Sequence, residues 1–178
     1  YPRCPKQIHI SEVMSAIRAI AIREGYERPG LTAQVKVTQC VACGMCVAAC
    51  PYEAIRLETI TNRRQSKRAA QVDADLCMGC GICTAVCPSY SISLEGHTDG
   101  QVYKSIVAKT GIRPREAATR HGKVLVIACN WSLHAEADER AAANPPEGVE
   151  VIRVPCSGRV SAPMILNALK LGVSSILV

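Results

Sequence analysis

Eight cysteines arranged in two runs are the residues of this chain best suited to chemistry. The first run is Cys40-Val-Ala-Cys43-Gly-Met-Cys46-Val-Ala-Ala-Cys50-Pro51, and the second is Cys77-Met-Gly-Cys80-Gly-Ile-Cys83-Thr-Ala-Val-Cys87-Pro88. Both read C-x2-C-x2-C-x3-C-P, a spacing that holds [4Fe–4S] clusters in pairs. Three closely spaced thiolates on a tightly folded loop reach three corners of one cubane. The fourth cysteine is expected to start a helical turn that leads away, and so to serve the other cluster. The expected ligand sets are Cys40, Cys43, Cys46 and Cys87 for cluster one, and Cys77, Cys80, Cys83 and Cys50 for cluster two. Proline behind the fourth cysteine ends the turn and removes one backbone donor.

Other uses of cysteine fit this pattern less well. A zinc site would take two C-x2-C pairs separated by a longer loop, with no need of a third cysteine at the same step. A disulfide framework belongs to small secreted chains. The runs are also part of a repeat. The offset of 37 that carries Cys40 to Cys77 also carries Val35 to Val72, Gly44 to Gly81, Ile55 to Ile92 and Leu57 to Leu94. Two related halves around a pseudo-twofold axis are expected.

The elements that must position these cysteines are short. Tyr1 to Ile10 is an irregular leading segment with Pro2 and Pro5, and Ser11 is a plausible N-cap followed by Glu12. Val13, Met14, Ile17, Ile20 and Ala21 make one apolar helical face, ended by Gly25, which is expected to pack against the cluster unit. Ala33–Val37 leads into the first run as a strand, and further strands follow each run at Ala54–Leu57 and Ser91–Leu94. Between the halves, Glu58–Gln71 reads as a solvated hairpin loop. Its cations Arg63, Arg64, Lys67 and Arg68 offer an alternative use as a docking patch for an acidic partner, an anionic substrate or a cofactor phosphate. Thr98-Asp-Gly-Gln101 has the capping-box form and starts a helix through about Lys109. Gly111 and Pro114 mark a linker to about Gly122.

Beyond Lys123 the pattern changes. Val124–Ala128, Val149–Val154 and Val173–Val178 read as strands, with helices over Glu136–Ala143 and Ala162–Leu171 between them. The order β-α-β-α-β argues for a small parallel sheet of Rossmann-like type. No G-x-G-x-x-G follows the first strand, so dinucleotide binding is not supported. Cys129 and Cys156 fall just after strands, at the carboxyl edge, where they would either share a metal or serve as small buried apolar residues. Cys4 stands apart from both runs. The expected division is residues 1–32 as leading segment and packing helix, 33–110 as a two-cluster unit, 111–122 as linker and 123–178 as a small α/β domain.

Composition bounds the partners. The 178 residues include no Phe and one Trp, so the core must be aliphatic and cluster-filled. The formal charge of +6 treats thiols as neutral. Eight thiolates and two doubly positive cluster cores add about −4, leaving about +2, which is weak support for a nucleic-acid partner. Eleven cysteines point to a reducing compartment, most simply the cytoplasm. No apolar run approaches the roughly 20 residues of a membrane span, and no signal peptide is visible. Opening at Tyr1 and closing in what looks like mid-strand at Ile176–Val178, the chain reads as a piece of a longer polypeptide.

These motifs resemble known families. The cluster unit is of bacterial ferredoxin type, and residues 1–110 resemble the carboxyl-terminal part of the A-type subunit of heterodisulfide reductase, including a stretch like Gly96-His-Thr-Asp-Gly-Gln101-Val. Residues 123–178 are similar to the delta subunit of methyl-viologen-reducing hydrogenase, through Cys129-Asn130-Trp131 and Cys156-Ser157-Gly158-Arg159. The B-type subunit of the quinone-interacting membrane-bound oxidoreductase of sulfate reducers joins both parts in one chain. The resemblance implies an α+β electron-transfer unit of a flavin-containing anaerobic oxidoreductase, passing electrons between the quinone pool and adenylylsulfate reductase. The alternatives are a subunit linked to heterodisulfide reductase or hydrogenase, and an interaction protein with structural clusters. FAD is expected in an upstream region or a partner. The partners, gathered at the inner face of the membrane, would include a flavoprotein and a quinone-reactive membrane subunit. The delta family's [2Fe–2S] site uses further cysteines, where this chain has Ala128 and Ser132, so no cluster is expected in residues 123–178. No residue reads as a nucleophile, a general base or an open metal position, so no catalytic residue is assigned.

Overall fold

The computed structural model describes residues 10–26, 31–61, 66–111, 122–130, 132 and 136–178. Cys4, Arg63, Arg64, Trp131 and the stretch of linker at 112–121 lie outside them.

Helix α1, Ile10–Arg23, starts one residue before Ser11, which therefore lies inside the first turn instead of capping it. Its apolar stripe is not the packing face expected. Val13, Ile17 and Ile20 are 46%, 54% and 51% exposed, whereas Arg18, Ala19 and Ile22 are half-buried. Arg18 is what meets the cluster unit. Its Nη1 donates to the Cys77 carbonyl at 2.5 Å and to Met78 Sδ at 2.9 Å. A long guanidinium side chain can cover apolar surface with its stem while its head bonds backbone, so it turns the helix toward its own side.

The cluster unit is built from two antiparallel ladders. Strand β1, Ala33–Val35, pairs with β4, Ile92–Leu94, and β2, Ile55–Thr61, pairs with β3, Ser66–Val72. The register carries the sequence repeat into three dimensions. Ala33 faces Leu94 while Leu57 faces Ala70, and Val35 faces Ile92 while Ile55 faces Val72. Moving the first residue of a β1–β4 pair up by 37 and its partner down by 37 gives the corresponding β2–β3 pair. Each ladder therefore joins one half of the repeat to the other, and among the described residues no ladder is formed within a half.

The hairpin between the halves is strand on both sides, not the loop expected over Glu58–Gln71. Thr59, Ile60 and Thr61 supply the β-branched residues that sustain it, a signal masked in the sequence by the neighbouring charges. Strand geometry also separates the two described cations of this stretch. Lys67 and Arg68 are consecutive on β3 and point to opposite faces. Lys67 Nζ donates to the Thr38 carbonyl at 2.8 Å, beside the first run, while Arg68 is exposed opposite Thr59.

Helix α4, Asp99–Thr110, has the expected capping box, with Thr98 Oγ1 accepting from the Gln101 N–H and Gln101 Oε1 accepting from the Thr98 N–H at 2.9 Å. Its allegiance differs from the expected division, which placed it with the clusters. Val102 and Ile106 are buried in one core with Leu125, Ile127, Ile152, Val154, Met164 and Ala168. Lys123 secures the arrangement. Its Nζ donates to the Thr110 carbonyl at 2.6 Å, at the negative end of α4, and pairs with Glu150 at 3.2 Å.

The third sheet is parallel, with β5, Val124–Cys129, between β6, Val149–Val154, and β7, Ser175–Leu177. Helix α5, Glu136–Ala143, links β5 to β6, and α6, Ala162–Lys170, links β6 to β7. As the middle strand β5 is buried on both faces, which is why its sequence is a continuous apolar run.

If α4 belongs to the second core, Ile106→Ala should cost about 2–5 kcal/mol, the usual range for emptying an isoleucine site. Hydrogen exchange should then accelerate in β5 and β6 while β1 to β4 keep their protection. Equal loosening of the parallel sheet and the two ladders would contradict this assignment.

Candidate metal centres

The two cysteine runs each begin a short helix at a left-handed glycine. Gly44 and Gly81 both sit at φ 79°, and α2, Met45–Ala49, and α3, Ile82–Ala85, follow them. The third cysteine of each run is thus the second residue of a helix. The fourth does not start a helical turn, as expected from spacing, but follows one. Cys50 is the extended C-cap of α2, and Cys87 lies just past α3. Three intervening residues make about one turn, which carries the fourth thiol away from the loop that holds the first three.

The result is two hollows lined by thiols from both halves. Cys40, Cys43, Cys46 and Cys87 line one, and Cys50, Cys77, Cys80 and Cys83 line the other. They are nearly equal, about 320 and 310 Å3 of non-atom space that is partly open to solvent. Cys40, Cys46, Cys77 and Cys83 are buried, whereas Cys43 is exposed and Cys50, Cys80 and Cys87 are half-buried. Among the described residues, no three His, Cys, Asp or Glu side chains converge to hold a single metal ion. The thiols surround volumes, as a polynuclear cluster requires and a lone zinc ion does not.

Backbone strain follows the same repeat. Ala42 and Gly79 lie at φ 53° and 65°, and Glu53 and Tyr90 at φ 52° and 50°. Each pair is again separated by 37. A non-glycine residue in the left-handed region costs about 1–2 kcal/mol, and such strain persists only where the surroundings demand it. Nothing in the residue types Ala42, Glu53 and Tyr90 signals this.

The chemical surroundings of the two hollows differ. At the first, burial pushes the Cys87 thiol up, but donors from Ser91 Oγ, Ser89 Oγ and the Ile92 and Ser91 N–H groups outweigh it and bring it down to about 7. The two hydroxyls stand 3.5 and 3.6 Å from Cys87 Sγ, and the Ala70 N–H donates to Cys40 Sγ at 3.5 Å. At the second hollow, burial and the neighbouring Cys80, Cys77 and Cys50 push the Cys83 thiol up to about 12. Burial raises Cys80 too, against one N–H bond from Ile82, and Cys156 and Cys50 add to the rise. Eight thiols so disposed, with buried walls and donors to sulfur, fit two iron–sulfur clusters. Sequence reasoning misses the serines, although the repeat marks them, since Ser89 and Ser91 replace Tyr52 and Ala54 of the first half.

Cys129 and Cys156 both lie at the carboxyl edge of the parallel sheet, as expected. Cys129 ends β5, buried, with its N–H donating to Ser132 Oγ at 3.0 Å and its carbonyl accepting from that hydroxyl. Cys156 precedes a 3-10 turn, Ser157–Arg159, that packs on α3, which brings its thiol beside Cys80. Two glycines make this contact possible. A Cβ on Gly81 would meet Arg159 Cδ at 2.6 Å, and one on Gly158 would meet Ile82 Cγ1 at 2.6 Å. Arg159 is 1% exposed, and its guanidinium donates to the His97 carbonyl at 3.0 Å and to Asp99 Oδ1 at 2.5 Å. A larger hollow, about 1100 Å3 on the same footing, lies between α4 and β6, is lined among others by His97, Lys109 and Arg153, and contains no thiol.

Fold and site together define an iron–sulfur module of ferredoxin type, attached to a small parallel-sheet unit. Residues 39–91 match the family described as 4Fe-4S dicluster domain, and residues 124–178 match that described as methyl-viologen-reducing hydrogenase, delta subunit. Over 57 residues the chain is 40% identical to an iron-sulfur subunit of the F420-non-reducing hydrogenase of Archaeoglobus profundus, covering 31% of this chain and 42% of that protein. The chain thus spans less than half the length of this curated relative. Among the described residues, no helix is long and apolar enough to cross a membrane.

The equivalent glycines should respond unequally to substitution. Gly44→Ala meets only Leu57 Cδ1, at 3.7 Å, and should cost the backbone term of about 1–2 kcal/mol. Gly81→Ala must in addition displace Arg159, and should lower the thermal midpoint visibly further. Equal losses would mean that the contact between the 3-10 turn and α3 is not tight.

Proposed function

We propose that this chain is an iron–sulfur electron-transfer subunit of a larger oxidoreductase complex linked to hydrogenase or heterodisulfide reductase. The observation that carries the reading is the pair of four-thiol hollows, each lined by three cysteines of one run and the fourth of the other. In this reading Cys40, Cys43, Cys46 and Cys87 hold one [4Fe–4S] cluster, and Cys77, Cys80, Cys83 and Cys50 hold the second. The clusters, when bound, supply one-electron storage. The protein's part is to bind them, exclude water through the aliphatic core, and set charge and hydrogen bonds at sulfur. The similarity to the iron-sulfur subunit of one hydrogenase and to the delta subunit of another supports partners of that class.

The parallel-sheet part, with strand order β6-β5-β7, supports the Rossmann-like reading of residues 123–178. With its first strand central, it serves as a docking or scaffold piece without a cluster of its own. Ser132 stands where a further thiol would be needed and is engaged with the Cys129 backbone. FAD belongs to an upstream region or a partner. A second reading places the chain between the quinone pool and adenylylsulfate reductase, at the inner face of the membrane through partner subunits. It rests on the joining of both parts in one polypeptide.

Iron analysis of the reconstituted chain should give eight Fe, none of it held by residues 123–178. Cys87→Ser leaves the first run complete, yet should reduce the iron to about four and remove the cluster of Cys40, Cys43 and Cys46. Cys50→Ser should remove the other. Retention of the cluster at the first run in Cys87→Ser would refute the crossed ligand sets. Clusters that load but cannot be reversibly reduced would favour a structural role in an interaction protein.

A further inference from the structure

We infer that Arg159, carried by the second part of the chain, is a positioning residue that sets the reduction potential of the cluster held by Cys50, Cys77, Cys80 and Cys83. The inference rests on the ligand assignment above and goes beyond it, because it makes the neighbouring sheet part of the redox site.

Three observations support it. First, Arg159 is placed against the cluster loop. Its Cδ stands 2.6 Å from where a Cβ on Gly81 would lie, and Gly81 lines the second hollow. Second, the ion pair is unequal. The Arg159 side chain is 1% exposed and the Asp99 side chain 48%, so water screens the anion while the cation stays in the interior. Third, the guanidinium is not fully used. Nε and Nη2 donate to the His97 carbonyl and Nη2 to Asp99, but Nη1 is buried with no partner among the described residues. A buried N–H without an acceptor is costly, and its retention here fits a group of negative charge next to it.

The direction follows from charge. A cubane with four thiolates takes up one electron and passes from about −2 to about −3, with no bond made or broken. A fixed buried cation stabilises the more negative form and raises the potential. The equivalent glycine of the first half, Gly44, has only Leu57 beside it, so Arg159 acts on one of the two clusters only.

The test is a dithionite titration of the full reconstituted chain, with both midpoints followed by EPR. Iron content is measured first, so that a chain without the second cluster fails the ligand assignment, and this inference with it, before any potential is read. With both clusters present, Arg159→Gln should lower one midpoint by at least a tenfold change in the reduced-to-oxidised ratio, about 59 mV for one electron, and leave the other in place. Asp99→Asn keeps the acceptor and removes a countercharge that water screens only in part, so it should raise that same midpoint, by less than Arg159→Gln lowers it. Arg159→Lys should hold it close to the unsubstituted chain. If Arg159→Gln fails to load the second cluster, the other two variants decide. An unmoved midpoint in Asp99→Asn, shifts of one sign in Asp99→Asn and Arg159→Gln, or equal shifts of both clusters would overturn the inference.

Discussion

The gap of three residues between the third and fourth cysteine is the constraint on which the structure depends. One helical turn fills it, and that turn carries the fourth thiol out of reach of the loop that presents the first three. Neither run can then surround a volume alone. The halves must interlock, and the ladders do this, β1 with β4 and β2 with β3, so that every hydrogen-bonded pairing among the described strands of the cluster unit crosses from one half to the other. Small residues let the strands approach the hollows: Ala33, Ala54, Ala69 and Ala70 are all nearly inaccessible.

The repeat is kept in the backbone and broken in the electrostatics. Strand register, helix starts and left-handed positions all recur at the same offset. The side chains around the two hollows do not. Hydroxyl and amide donors gather at the first. At the second, one amide donor, from Ile82, is joined by arginines, Arg18 at the Cys77 carbonyl and Arg159 against Gly81, and by the thiol of Cys156. In the proposed electron-transfer role, two sites of one shape in unlike surroundings would give the two clusters different potentials, since identical sites would hold an electron equally well.

The features legible in the sequence are those set by local spacing. The paired cysteine runs, the capping box at Thr98 and the parallel strands announce themselves within a few residues. What stays hidden depends on distant contacts. The hairpin of β2 and β3 reads as a charged loop, because strand alternation, which sends Lys67 and Arg68 to opposite faces, is invisible in a count of cations. The apolar stripe of α1 reads as a packing face, yet Arg18 turns the helix the other way. Proximity in sequence assigns helix α4 to the clusters, while Val102 and Ile106 are buried in the second core. Arg159 is visible only as part of a family-like motif, and its burial comes from packing that no local pattern encodes.

The reciprocal fit of Arg159 over Gly81 and of Ile82 over Gly158 has a kinetic meaning. Each part supplies a missing Cβ where the other supplies bulk, so the two surfaces cannot slide past each other without one of these side chains leaving its recess. Tunnelling falls off steeply with distance, and many redox proteins depend on a swinging domain to bring their centres together. A joint keyed in both directions leaves no such swing at this place. In the proposed electron-transfer role, the gap between the second hollow and a partner seated on the parallel-sheet unit would be built in at folding, and the pace of transfer would belong to the chemistry of donor and acceptor, not to a search for the right orientation.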